Sequence, residues 1–177
     1  MLIVRAELLG HTVANMRNGS GLLVSLGVGL AIIALIDGCA GVHESPSSDL
    51  NREQAQIEHR LNQIFEAAQQ KRFDELESYH FYGPHFTKFA GSSGVRLDAV
   101  SARKAEHDGL QATEDLRMEA QNLKIDVLDR TAVATFILDY SFRSGAGRVE
   151  KKDRATLIFV KQPDGWKIVH EHLSPVQ

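Results

Sequence analysis

Asp164-Gly165-Trp166-Lys167-Ile168-Val169-His170-Glu171-His172-Leu173-Ser174 reads as a turn followed by a strand. Pro163, Asp164 and Gly165 supply the turn, because proline presets φ and glycine reaches backbone angles closed to other residues. From Trp166 to Leu173 aromatic and β-branched residues recur at the spacing of a half-buried strand. Counting by two from Trp166 puts Ile168, His170 and His172 on one face and Glu171 on the other.

Working back along the chain, the period stays at two. A strand is expected around Lys152–Lys161, preceded by the turn Ser144-Gly145-Ala146-Gly147. Before it, Ala132, Ala134, Phe136, Leu138, Tyr140 and Phe142 give a long strand with one nearly all-apolar face, and Asp129-Arg130 forms the turn ahead of that strand. Leu116, Met118 and Ala120 share one parity and Leu123, Ile125 and Val127 the other, so a bulge near Gln121-Asn122 must absorb the slip and bend the strand.

Ahead of residue 116 the period becomes helical. Ile57, Leu61, Ile64, Phe65 and Ala68 form one stripe of a helix capped by Asn51 and reaching about Gln70. Phe73, Leu76 and Tyr79 predict a shorter helix, and Pro84 ends regular structure. Phe86 and Phe89 are expected as apolar anchors of a loop, followed by the connector Gly91-Ser92-Ser93-Gly94. Asp98 caps a third helix reaching His107, with Gly109 past its end. Helices followed by four short-linked strands make an α+β domain, with the helices on one face of a bent antiparallel sheet that closes as a cone over a cavity.

The chain has 177 residues, a net charge of −3 and one cysteine, Cys39. The mild acidic balance argues against a general nucleic-acid binder, which needs a basic face. A single thiol cannot form an intramolecular disulfide, so the domain relies on its core. Gly21 to Ile36 carries no charge, is rich in glycine and is shorter than the roughly 20 residues of a spanning helix, which fits the apolar region of an export signal. Met16-Arg17-Asn18-Gly19-Ser20 is a short basic leader in front of it, making Met16 the expected start. Ile36-Asp37-Gly38-Cys39-Ala40 resembles a bacterial lipobox, although Asp37 departs from the usual small residue. The expected organisation is an export signal over 1–39, lipidated at Cys39 in preference to ordinary signal-peptidase cleavage after Ala40 or an uncut anchor, a tether over 40–50 and one domain over 51–177. The expected location is the cell envelope, facing the periplasm, and the outer membrane rather than the inner.

The closing strand, 164–174, resembles that of SnoaL-like proteins of the nuclear transport factor 2-like superfamily. Phe65-Glu66-Ala67-Ala68 to Phe73-Asp74-Glu75-Leu76, His85-Phe86-Thr87-Lys88-Phe89 and Arg154-Ala155-Thr156-Leu157-Ile158-Phe159 resemble its first helices, following loop and penultimate strand. The resemblance implies a cone-shaped α+β barrel that is often a homodimer through its sheet. It does not choose among cyclases, isomerases, dehydratases, scaffolds and binding domains.

His170 or His172 could serve as a general acid or base, oriented by Asp139, Tyr140 or Arg154 from another strand. The same pair also fits hydrogen-bonded histidines that finish the sheet. His-x-His with His80 or His85 lacks a defined third metal ligand, so no metal site is expected, and no cofactor motif is present. Tyr79, His80, Tyr82, His85, Phe86 and Phe89, with Arg154 and Trp166, are candidate pocket liners or simply core. Three functions follow: binding of a small apolar or aromatic molecule, acid–base catalysis by His170 or His172, or a dimeric envelope adaptor without ligand.

Overall fold

Ile57, Leu61, Ile64, Phe65 and Ala68 are all buried along helix α1 (Pro46–Gln69) in the computed structural model, which describes residues 46–145 and 147–176. Helix α1 begins five residues ahead of the expected cap Asn51, which lies inside it. Proline suits a helix start because the first N–H groups have no intrahelical partner. Residues 46–50 are therefore helical rather than tether, while residues 1–39, expected as an export signal, and Cys39 lie outside the described residues.

Lys71 adopts φ 55° and breaks the chain between α1 and the short α2 (Phe73–Ser78). Phe86 then sits in the core, but Phe89 belongs to a strand, β1 (Thr87–Ala90), where a loop was expected. The Asp98 cap is used: its carboxylate accepts from the Ser101 N–H at 2.8 Å at the start of α3 (Ala99–Gln111). This helix runs through Gly109 rather than stopping before it, and Ala102 is its one buried residue, in line with its weak apolar stripe.

Three hairpins connect β2 (Glu114–Leu128), β3 (Thr131–Ser144), β4 (Gly147–Gln162) and β5 (Gly165–Pro175). The sheet has the order β1-β5-β4-β3-β2 and is mixed, because β1 runs parallel to β5. Ala132, Ala134, Phe136 and Leu138 are buried on the inner face, as their parity requires. The bulge expected near Gln121-Asn122 is present as a register shift between Gln121 and Lys124, with Asn122 at φ 56°.

One further shift changes the reading of β5. Ile158 pairs with His170 and Phe159 with Ile168, which leaves Val169 as the extra residue of a bulge. Before it, Trp166 and Ile168 point inward; after it, Glu171 does, while His170 and His172 lie on the outer face. The expectation that both histidines share a face with Trp166 is corrected by that one residue.

Helix α1 crosses the inner face of the sheet. Gln54 donates to the Ile125 carbonyl at 2.8 Å, and the buried Trp166 indole donates to Glu53 at 2.9 Å. Gly165 has φ 113°, a backbone angle that residues with a Cβ rarely adopt, so the turn into β5 requires glycine; the Arg60 guanidinium nearby is the mobile end of a long side chain.

Candidate functional site

The parallel register of β1 places Lys88 opposite Glu171, and both side chains point inward. The Lys88 ammonium lies 2.6 Å from Glu171 Oε2 and 3.2 Å from Glu106 Oε1 on α3. The other Glu171 oxygen, Oε1, is 2.6 Å from His80 Nε2, and His80 Nδ1 is 2.9 Å from the Leu76 carbonyl. A carbonyl and an ionised carboxylate can only accept, so both ring nitrogens of His80 donate and the ring is an imidazolium. Glu106, Lys88, Glu171 and His80 thus form a line of alternating charge. Tyr82 closes it, donating to Glu106 at 3.3 Å and stacking on His80 at 4.9 Å, with Phe86 edge-on to both rings.

Mutual pairing outweighs burial along this line. Burial pulls the His80 pKa down, but the hydrogen bond and charge of Glu171 and the charge of Glu106 raise it above the ordinary value. Burial pulls Lys88 down too, and Glu171 and Glu106 hold it well above its usual range. Glu171 is pushed up by burial and carried well below the carboxylate range by Lys88 and His80. Burial, followed by the charges of Glu106 and Glu171, raises the Tyr82 phenol. Lys88 is therefore a fixed cation rather than an amine nucleophile, which would need a depressed pKa.

The Lys88–Glu106 end of this line opens on a cleft of about 940 Å³ between α3, β1 and the inner faces of β3, β4 and β5. Leu97, Ala105 and Leu173 supply apolar wall. Opposite polar wall comes from Tyr140, whose hydroxyl donates to Asp153 Oδ2 at 3.2 Å. Burial and the neighbouring Asp153 charge push the Tyr140 phenol up to about 12. At the rim Asp139 pairs with Lys152 at 2.8 Å and accepts from Gln121 at 3.0 Å.

Asp139 and Tyr140 thus line the cleft, but neither meets His170 or His172. His170 Nδ1 contacts Thr87 Oγ1 at 2.7 Å on the outer face, and His172 is exposed beside Phe89 at 6.0 Å. Arg154 is exposed and donates to the Pro175 carbonyl at 3.3 Å. Of the expected pocket liners, Trp166, Tyr79 and Phe86 are core side chains: the Tyr79 hydroxyl donates to Glu75 at 2.5 Å beneath Arg60. His85 is exposed, and Phe89 faces outward with the two histidines. His80 and Tyr82 stand behind Lys88, in the network rather than on the cleft wall.

The residues that sequence reasoning missed are Lys88, Glu106, Asp153 and Glu171. Asp153 left a signal: it shares parity with Ala155, Leu157 and Phe159, a lone carboxylate on an apolar face. His80, Glu106 and Glu171 bring potential metal-ligand atoms within 4.8 Å of one another. The Lys88 ammonium already bridges the two carboxylates and supplies the positive charge a metal ion would bring there.

Solved structures with this architecture are distant in sequence. A Streptomyces avermitilis protein assigned as a dehydratase of the nuclear transport factor 2-like family superposes with a TM-score of 0.66 at 18% identity, covering 72% of this chain and 98% of that one. A nuclear transport factor 2-like protein with a cystatin-like fold from Novosphingobium aromaticivorans gives 0.61 at 12% identity, covering 74% and 86%. The CamKII hub homology domain of Chlamydomonas reinhardtii gives 0.57 at 15% identity, covering 70% and 98%. These likenesses establish the cone-shaped α+β fold and nothing about chemistry. No curated protein matches the chain. Residues 57–177 match the family model of the SnoaL-like domain, and the chain belongs to that family.

Proposed function

We propose that this domain binds a small, partly apolar or aromatic molecule in the cleft between α3, β1 and β3–β5. The observation that carries the reading is the lining: apolar Leu97, Ala105 and Leu173 between two polar walls, Lys88–Glu106 and Tyr140–Asp153. Ligand sites combine apolar area with a few fixed polar groups in this way. The test is a fluorine NMR titration of the full-length protein with 4-fluorobenzyl compounds, repeated on Ala105→Trp. Ala105 is exposed on α3, so an indole there fills the cleft without disturbing the core. Binding lost in Ala105→Trp supports the reading; binding unaffected by it sinks the reading.

Acid–base catalysis is a second reading, favoured by the contact of Tyr140 with the buried Asp153 on the cleft wall. It would run through that pair and not through His170 or His172. We further propose that the protein is exported, attached to the envelope through a lipid on Cys39, and paired as a homodimer through the outer sheet face. The half-buried Val133, Ile137, Ile158, Val160 and Val169 on that face support the last point. Fatty-acid labelling of a Cys39→Ser variant tests the anchor, and light scattering tests the dimer.

A further inference from the structure

The cleft holds two kinds of charge, and their partners differ. Lys88 touches two carboxylates, Glu171 and Glu106, and with the His80 imidazolium on Glu171 the charges along this line cancel. Lys152 is paired with Asp139. Asp153 is different. It is 8% exposed, it faces the cleft, and its one hydrogen-bond partner among the described residues is the neutral Tyr140 hydroxyl. No ammonium or guanidinium lies within ion-pair distance of it among those residues; Lys151, two residues along the same face of β4, is exposed and does not reach it. A buried carboxylate without a counter-charge is costly unless something pairs with it.

Resting on the binding function proposed above, we propose that the cleft selects a small protonated amine. Its ammonium pairs with Asp153 Oδ and lies against the Tyr140 ring, and its apolar body lies along Leu97, Ala105 and Leu173. A carboxylate and an aromatic face are the two groups that recognise an ammonium most favourably. An anion is less well placed: at Lys88 it would be the third negative group around one ammonium, and on the opposite wall it would face Asp153, with the exposed Lys151 as the cation left to it.

Three probes of one shape and different charge provide the test: 4-fluorobenzylamine, 4-fluorobenzyl alcohol and 4-fluorobenzoate, titrated into the full-length protein near neutral pH. The amine is expected to bind about tenfold more tightly than the alcohol, a difference of about 1.4 kcal/mol, and the benzoate more weakly than either. In Asp153→Asn, which keeps shape and the Tyr140 contact, amine and alcohol should bind alike. Should that variant fail to fold, the comparison of the three probes on the wild-type protein still decides. Equal affinities, or benzoate binding tightest, overturns the amine proposal. If Ala105→Trp abolishes such binding, the cleft remains a ligand site and the amine proposal alone falls. If no probe binds, or all bind Ala105→Trp unchanged, the binding function falls and the amine proposal with it.

Discussion

Replacing Glu171 by glutamine removes one charge and keeps the shape. Each Glu171 oxygen accepts a charge-assisted hydrogen bond at 2.6 Å, one from His80 and one from Lys88. Glutamine can accept at one end only. Its amide nitrogen would face either the imidazolium or the ammonium, donor against donor, with two buried cations left to share Glu106. Breaking a buried ion pair by removing one partner costs about 3–5 kcal/mol. For a domain of this size that lowers Tm by about 10–20 °C. Fluorescence of Trp166, the sole tryptophan and 2% exposed, reports unfolding in urea or on heating. The comparison is His172→Ala on the outer face, expected within about 0.5 kcal/mol of wild type. A Glu171→Gln cost below about 1 kcal/mol, or a larger cost for His172→Ala, refutes the inward placement of Glu171 and the network built on it.

Three further outcomes are expected. Burial opposes the proton on His80, but Glu171 and Glu106 hold it so that the folded pKa exceeds 6.5; its stabilisation is whole below pH 6.5 and fades as pH rises through the folded value. Glu171, also opposed by burial but held below 4.5 by Lys88 and His80, gives the opposite limb, complete above pH 4.5 and lost on acidification. Urea midpoints should therefore fall as pH rises above about 6.5, and a His80→Gln variant should lack that decline. Gly165→Ala, forced to φ 113°, should cost about 1–3 kcal/mol by thermal denaturation. Asp98→Ala, which removes the cap on the Ser101 N–H, should cost about 0.5–2 kcal/mol by the same measurement.

Local chemistry made much of the fold legible. The apolar stripe of Ile57 to Ala68, the Asp98 cap, the inward parity of Ala132 to Leu138 and the slip at Gln121-Asn122 each depend on residues close in sequence, and each stands in the structure. The site was not legible for the same reason. Its charged residues, at positions 80, 88, 106, 153 and 171, come from five separate stretches joined only by tertiary packing. Strand β1 is four residues long and pairs in parallel with a distant partner, so its own sequence resembles an anchored loop. The bulge at Val169 carries no glycine or proline to mark it, and a count by two along β5 passes through it unaware. That count turned Glu171 outward and the two histidines inward, opposite to their places.

The most direct measurement is a crystal structure of the protein with bound 4-fluorobenzylamine. The account predicts the amine in the cleft, its nitrogen within hydrogen-bond reach of Asp153, with Lys88 still bridging Glu171 and Glu106. A ligand seated on the outer face against His170 and His172, with the cleft empty, would contradict it.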